Sequence, residues 1–259
     1  MEPVLKVDNL VKVFARGGKQ PVAAVKNVSF ELMPGECLGV IGESGSGKTT
    51  MVSMITRLLD ATAGQIILDG QNITNLRGKE LRGAYKKMQM VFQVPAESFD
   101  PRRTLGDGIG ESLRNAGMSR QETRAEVERL LEQCGLSKEF ADRYPHQVSG
   151  GQCQRAAIAR ALAIQPRLLI CDEATSALDV TVQKEIMELL NRLRQARGNN
   201  MSILFICHDL SLVQEFCDRV LVMYQGEIVE QGKPDDVIQN PEHAYTRRLM
   251  DSVLEPGCV

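Results

Sequence analysis

The stretch Gly42-Glu43-Ser44-Gly45-Ser46-Gly47-Lys48-Thr49-Thr50 packs three glycines, a lysine and two threonines into nine residues. Without a Cβ, backbone N–H groups can turn inward around an anion and the main chain can approach it closely. The spacing Gly42-x-x-x-x-Gly47-Lys48-Thr49 is that of a phosphate-binding loop. On that reading the Lys48 ammonium reaches the β- and γ-phosphates of a nucleotide, and the Thr49 hydroxyl ligates Mg2+. A second group of chemistry-bearing residues ends the apolar run Leu168-Leu169-Ile170-Cys171 with Asp172 and Glu173. Asp172 can hold Mg2+ through water, and Glu173 can orient and deprotonate a water that attacks the γ-phosphate. An Asp-Glu pair on an ordinary surface turn does none of this; the phosphate loop in the same chain gives the pair its role. A third group is Ser149-Gly150-Gly151-Gln152. Ser149 can cap a helix running from about Gly151 to Ala163, and glycines at a helix start expose N–H groups to an anion. The same four residues also suit a plain capped helix.

These residues need elements to hold them. Cys37 to Ile41 is a short apolar strand feeding the glycine loop, and Thr50 to Leu59 follows as a helix. Val4 to Val13 and Val22 to Leu32 read as strands, joined onward by the turn Met33-Pro34-Gly35-Glu36. Gln65 to Leu68, closed by Asp69-Gly70, is another strand and turn. Ser119-x-x-Glu122 is a capping box opening a helix that Gly135 ends. Leu168–Cys171, Ile203–Ile206 and Val220–Met223 are short continuous apolar runs, as in buried parallel strands. Between the first two, Val182, Ile186, Leu189, Leu190 and Leu193 keep helical spacing. The prediction is an α/β fold: a phosphate-loop core with a parallel sheet, a small antiparallel β region before it, and a helical insert over roughly 94–162. A helical tail from about 234 completes a single domain of 1–259.

Composition excludes several classes. Net charge is −2 and aromatics are 4% with no Trp, so neither a basic nucleic-acid face nor a stacking platform is expected. No basic stretch with an apolar core opens the chain, and no run nears the ~20 apolar residues that span a bilayer. The seven Cys are scattered without a CxxC pair, which fits a reducing compartment. Cys153, Cys171 and Cys207 adjoin the candidate nucleotide elements, either as small buried fillers or as thiols whose modification would block turnover.

In order along the chain stand the phosphate loop, Gln93 in Val91-Phe92-Gln93, Ser149-Gly150-Gly151-Gln152, Asp172-Glu173, Ser176-Ala177-Leu178-Asp179, and His208 in Ile206-Cys207-His208-Asp209. Over nearly its whole length the chain resembles an ATP-binding cassette ATPase. Val148 where Leu is commoner, and Ala174 where many members have Pro, depart from the pattern without removing a catalytic group. The resemblance implies a head-to-tail dimer in which each ATP lies between one subunit's phosphate loop and the other's Ser149–Gln152 segment. It implies Glu173 as general base, His208 on the γ-phosphate, and Gln93 on Mg2+ and the attacking water. Asp179 would act across the dimer, and Phe14 is similar to the aromatic that stacks on adenine. A Phe in a β region equally suits the core.

Two stretches narrow the resemblance. Gln93-Val94-Pro95-Ala96-Glu97-Ser98-Phe99-Asp100-Pro101-Arg102 is similar to the segment after the catalytic Gln in peptide and nickel importers, with Val94 for the usual Asp. Pro241-Glu242-His243-Ala244-Tyr245-Thr246-Arg247-Arg248-Leu249 is similar to that group's Pro-x-His-Pro-Tyr-Thr-x-x-Leu tail, with Ala244 for Pro. Tyr144-Pro145-His146-Gln147 fits the same group. The implied protein is the ATP-hydrolysing subunit of an importer for short peptides, nickel or a related metal complex. It would sit peripherally at the cytoplasmic face of the membrane. Its implied partners are a second cassette ATPase, identical or different, two permease subunits and, indirectly, an extracytoplasmic solute-binding protein, with no nucleic acid. Segment 95–105 would meet the permease. No iron–sulfur cluster is expected with Cys258 as the only Cys in the tail, and His146, His208 and His243 are too scattered for nickel ligands. The alternative is a soluble cassette ATPase that transports nothing.

Overall fold

The computed structural model describes residues 2–16, 19–173, 179–196 and 201–254. In chain order the strands and helices are β1 (Leu5–Arg16), β2 (Lys19–Leu32), β3 (Cys37–Ile41), α1 (Lys48–Ile55), β4 (Ala63–Leu68), β5 (Gln71–Asn72) and α2 (Gly78–Tyr85). There follow β6 (Met88–Val91), α3 (Leu105–Asn115), α4 (Arg120–Gln133), α5 (Gly150–Leu162), β7 (Leu168–Asp172) and α6 (Val180–Gln195). The chain closes with β8 (Ser202–Ile206), α7 (Leu210–Phe216), β9 (Arg219–Tyr224), β10 (Glu227–Gly232), α8 (Pro234–Gln239) and α9 (Ala244–Leu254). Two compact units result, residues 1–84 with 202–259, and residues 85–201.

The first unit holds an antiparallel sheet ordered β2-β1-β4-β5. Its register shifts between Val7 and Leu10 and again between Leu10 and Lys12. Asn9 (φ 48°) and Asn27 (φ 50°) take left-handed backbone at these irregularities, a conformation Asn tolerates better than most residues. In the same unit β3 runs parallel to both β8 and β9, and β10 turns back antiparallel on β9. All five residues of β3 and of β8 are buried, as expected for strands covered on both faces. Helix α1 ends earlier than its apolar run suggests: Thr56 is its C-cap and Arg57 turns left-handed at φ 58°, so Leu58, 66% exposed, leaves the helix.

The second unit pairs β6 parallel with β7, with Met88 opposite Leu168 and Val91 opposite Cys171. Helices α3, α4 and α5 pack on one another, and α5 also meets α6 and β6. The predicted box opening α4 is formed in both directions: the Glu122 N–H donates to Ser119 Oγ, and the Ser119 N–H to Glu122 Oε2. Short 3-10 turns at Pro95–Ser98, Lys138–Asp142 and Pro145–Gln147 link the helices. The α/β fold with parallel strands, an antiparallel β region and a helical region agrees with the sequence prediction. Among the described residues no helix is long and apolar enough to cross a membrane.

Candidate nucleotide site

In the first unit the buried strand β3 delivers the glycine loop into the N-terminus of α1, whose N-cap is Gly47 in left-handed conformation, φ 108°. The two outer glycines are obligatory for steric reasons. A Cβ on Gly42 (φ +145°) would lie 2.2 Å from the Met223 carbonyl oxygen, and one on Gly47 (φ +108°) would lie 2.6 Å from that of Ala24. The loop is thus pressed against the β9–β10 turn, where the Gly226 N–H donates to Ser46 O at 2.9 Å. Glu43, Ser44 and Gly45 form its exposed rim, while Ser46, Gly47 and Lys48 are buried. The Lys48 ammonium, 4% exposed, donates to Gly42 O at 2.6 Å, Glu43 O at 2.9 Å and Ser46 Oγ at 3.4 Å. A buried charge is tolerable only with such partners. Thr49 and Thr50 occupy the first turn of α1, with Thr49 exposed.

Register places His208 beside this loop's strand. Val40 pairs with Ile206, so Gly42 and His208 each stand two residues past paired positions, at the same ends of adjacent parallel strands. Asp209 then caps α7, accepting the N–H groups of Ser211 and Leu212. Phe14 on β1 is 39% exposed, with the Lys12 ammonium 5.2 Å from its ring centroid, so it is no core residue.

In the second unit Gln93 and Glu173 each follow β6 and β7 by the same two-residue step beyond the Val91–Cys171 pair. Gln93 and Asp172 line one cavity of about 390 Å³ with Phe92, Val94, Glu97 and Ser98. Glu173 holds a left-handed backbone, φ 49°, a strained geometry for a side chain of its size that recurs at functional positions. Ser149 caps α5 through a closed box, the Gln152 N–H donating to Ser149 Oγ and the Ser149 N–H to Gln152 Oε1. The helix therefore starts at Gly150, one residue before the predicted start. Gly150 and Gly151 supply its first two N–H groups, which have no acceptor within a helix. A Cβ on Gly151 would meet Val182 Cγ1 at 2.7 Å, so the bare glycine lets α6 close onto this segment. Asp179 caps α6 by accepting the Val182 N–H at 3.0 Å. Ala174 and Ser176–Leu178, which the sequence ties to the same function, lie outside the described residues, as does Cys258. Cys153, Cys171 and Cys207 are all buried, and burial pushes the Cys153 thiol pKa up.

Sequence reasoning gave no role in the nucleotide site to two residues that the packing singles out. Arg160 of α5 donates to the Ser98 carbonyl and lies 4.5 Å over the Phe99 ring, joining the segment after Gln93 to the Ser149–Gln152 helix. An Arg in the Ala-rich run Ala156–Leu162 was its only signal. Tyr245, read as a subgroup marker, is packed onto the glycine loop.

The glycine loop on a parallel strand, with a helical region carrying a second capped glycine pair, defines the class as a phosphate-loop ATPase cassette. A profile of the family described as ABC transporter matches residues 25–176. The chain is 47% identical over 259 residues to the glutathione import ATP-binding protein GsiA of Escherichia coli K12, covering 97% of this chain and 41% of that protein. It is 46% identical to the GsiA of Salmonella paratyphi A over the same shares. The chain thus spans about two fifths of the length of the curated relatives it matches. Among solved structures it is similar to a dimer of the ATP-binding cassette MJ0796 bound to ADP and Pi, with TM-score 0.80 and 32% identity over 89% of this chain and 98% of that one. It is also similar to cbiO1 from Clostridium perfringens, part of the ABC transporter complex cbiONQ, with TM-score 0.82 and 28% identity over 93% of both chains. The chain belongs to the ABC transporter family and has the fold of its ATP-binding cassettes.

Proposed function

We propose that this chain is the ATP-binding and ATP-hydrolysing subunit of an ABC importer for short peptides of the size of glutathione. The observation that carries the mechanism is positional: the phosphate loop, Gln93, Asp172-Glu173 and His208 each stand at the C-terminal end of a parallel strand. There Lys48 and the loop amides of Gly45 to Thr49 hold the phosphates, and Phe14 offers its exposed ring to adenine. Glu173 takes a proton from the attacking water, and His208 contacts the γ-phosphate. Ser149–Gln152 reaches the nucleotide of a second cassette, and Asp179 acts beside it across the dimer. The similarity to dimeric MJ0796 supports that arrangement.

Mg2+ fits the donors. Thr49, Gln93 and Asp172 offer hydroxyl, amide and carboxylate oxygens, and among the described residues no cluster of three or more His, Cys, Asp or Glu is present. A hard ion that takes most of its ligands from phosphate and water needs no more. When bound, it would neutralise charge on the phosphates.

The importer reading is supported by the 47% identity to a glutathione import protein and by the tail and post-Gln93 motifs. It places the chain peripherally on the cytoplasmic face with two permease subunits, a second cassette and a solute-binding protein outside. Affinity purification from native membranes in mild detergent tests it. Two polytopic proteins should accompany the chain, and glutathione or a short peptide with its binding protein should stimulate ATP hydrolysis by the reconstituted complex. Recovery only from the soluble fraction, without a membrane partner, would replace it with the soluble cassette reading.

A further inference from the structure

The C-terminal motif around Tyr245 does more in this fold than mark a subgroup. Tyr245 is the second residue of α9 and is 2% exposed. Its ring stacks on Tyr224 of β9, with centroids 4.0 Å apart and planes 23° apart. Its hydroxyl accepts the N–H of Glu43, inside the glycine loop, at 2.8 Å. That N–H shares a peptide plane with the Gly42 carbonyl, which accepts the Lys48 ammonium at 2.6 Å. A peptide unit is planar, so orienting one end orients the other. The first peptide of the loop is thus held at its oxygen by Lys48 and at its nitrogen by Tyr245.

The tyrosine is itself held from behind. Its N–H donates to His243 Nδ1 at 3.1 Å. The Glu230 carboxylate on β10 accepts the N–H groups of Glu242 at 2.9 Å and His243 at 3.0 Å. Arg247 donates to the carbonyls of Pro241 and Glu242, closing the turn that leads into α9. Burial raises the Tyr245 pKa, so the phenol stays protonated. A chain of hydrogen bonds therefore runs from β10 through the tail to the phosphate loop.

We propose that Tyr245 is a positioning residue for the phosphate loop, and that the tail and the nucleotide are thermodynamically linked. The Glu43 amide, being the first after Gly42, is committed to Tyr245. Linkage is reciprocal: if a docked tail favours ATP, bound ATP must favour the docked tail by the same factor. The inference rests on the ATP-binding reading of the loop.

The test compares the full chain with Tyr245→Phe and Tyr224→Phe. Tyr245→Phe keeps the ring stack and removes only the hydroxyl, so the fold should survive. Its KM for ATP should rise roughly tenfold, the scale of one hydrogen bond left unmade, with kcat held within about twofold. Tyr224→Phe removes a hydroxyl that accepts a hydrogen bond from Gln225 Nε2 and should leave KM unchanged. In the wild-type chain, hydrogen exchange of the α9 amides should slow when ATP is added. An unchanged KM in Tyr245→Phe, even with a lowered melting temperature, would reduce the residue to ordinary packing and overturn the proposal, as would α9 exchange indifferent to ATP. Wild-type chain that fails to bind ATP at all would instead fell the ATP reading, and this inference with it.

Discussion

Two glycine-rich helix starts, proposed above as phosphate sites, are built in opposite ways. At Gly47 no side chain caps the helix; the N-cap is a left-handed glycine, pressed against the Ala24 carbonyl oxygen, with a buried lysine folded back into the loop. At Ser149 a reciprocal box caps the helix, Ser149 and Gly150 are exposed, and no residue from Val148 to Cys153 carries a positive charge. The first is a complete cradle: glycines for close approach, a cation, and bracing from β9, β10 and α9. The second is a rigid helix end that offers amides outward. On the proposed function, the first start holds the chain's own nucleotide and the second meets one that a partner brings.

The sharpest way to break this comparison is at the hydrolytic residue. Glu173→Gln should leave ATP binding intact and lower the hydrolysis rate on the order of 10²- to 10⁴-fold, read by single-turnover kinetics. A variant with near-normal kcat would remove Glu173 from the role of base. Next in size is Gly47→Ala. The new methyl meets the Ala24 carbonyl at 2.6 Å in a backbone region that disfavours side chains, so the loop must shift. ATP affinity of the isolated chain, measured by titration calorimetry, should fall at least about tenfold. Ser149→Ala should do the reverse. It should cost about 1 kcal/mol of stability in chemical denaturation, yet leave ATP affinity of the isolated chain unchanged, because the cap serves its own helix. A loss of affinity there as large as at Gly47 would erase the distinction. The smallest effect belongs to the thiols. Cys153, Cys171 and Cys207 are buried, and burial disfavours the Cys153 thiolate. Alkylation of the folded chain, checked by mass spectrometry, should leave all three unmodified and the ATPase rate unchanged.

What could be read directly from the residues was local. The glycine loop, the box at Ser119 and the cap at Ser149 depend on neighbours within a few residues, and spacing alone announces them. The buried strands β3 and β8 were visible as short apolar runs because both faces are covered. Element ends were less legible. Helix α1 stops at Ile55 although Leu58 and Leu59 prolong its apolar run, because Arg57 leaves helical backbone, which periodicity does not encode. Roles were legible unevenly. Gln93 and His208 are single polar residues after short strands and gained meaning only from family resemblance. Phe14 fitted the core or a surface equally until its exposure was known.

By itself, then, the sequence determined which glycine-rich segments open helices, which strands are buried, where several helices start, and the family. Those properties follow from contacts between residues close in the chain or from the order of motifs along it. Tertiary structure alone decided which distant groups meet. Tyr245 and Glu43 are 202 residues apart, and Arg160 and Ser98 are 62 apart. Such pairs depend on strand register and helix packing summed over the whole fold, and a spacing rule cannot see them. Long-range packing is also what turns a flexible glycine-rich stretch into a braced cradle, because the carbonyl oxygens that exclude any Cβ come from residues far along the chain.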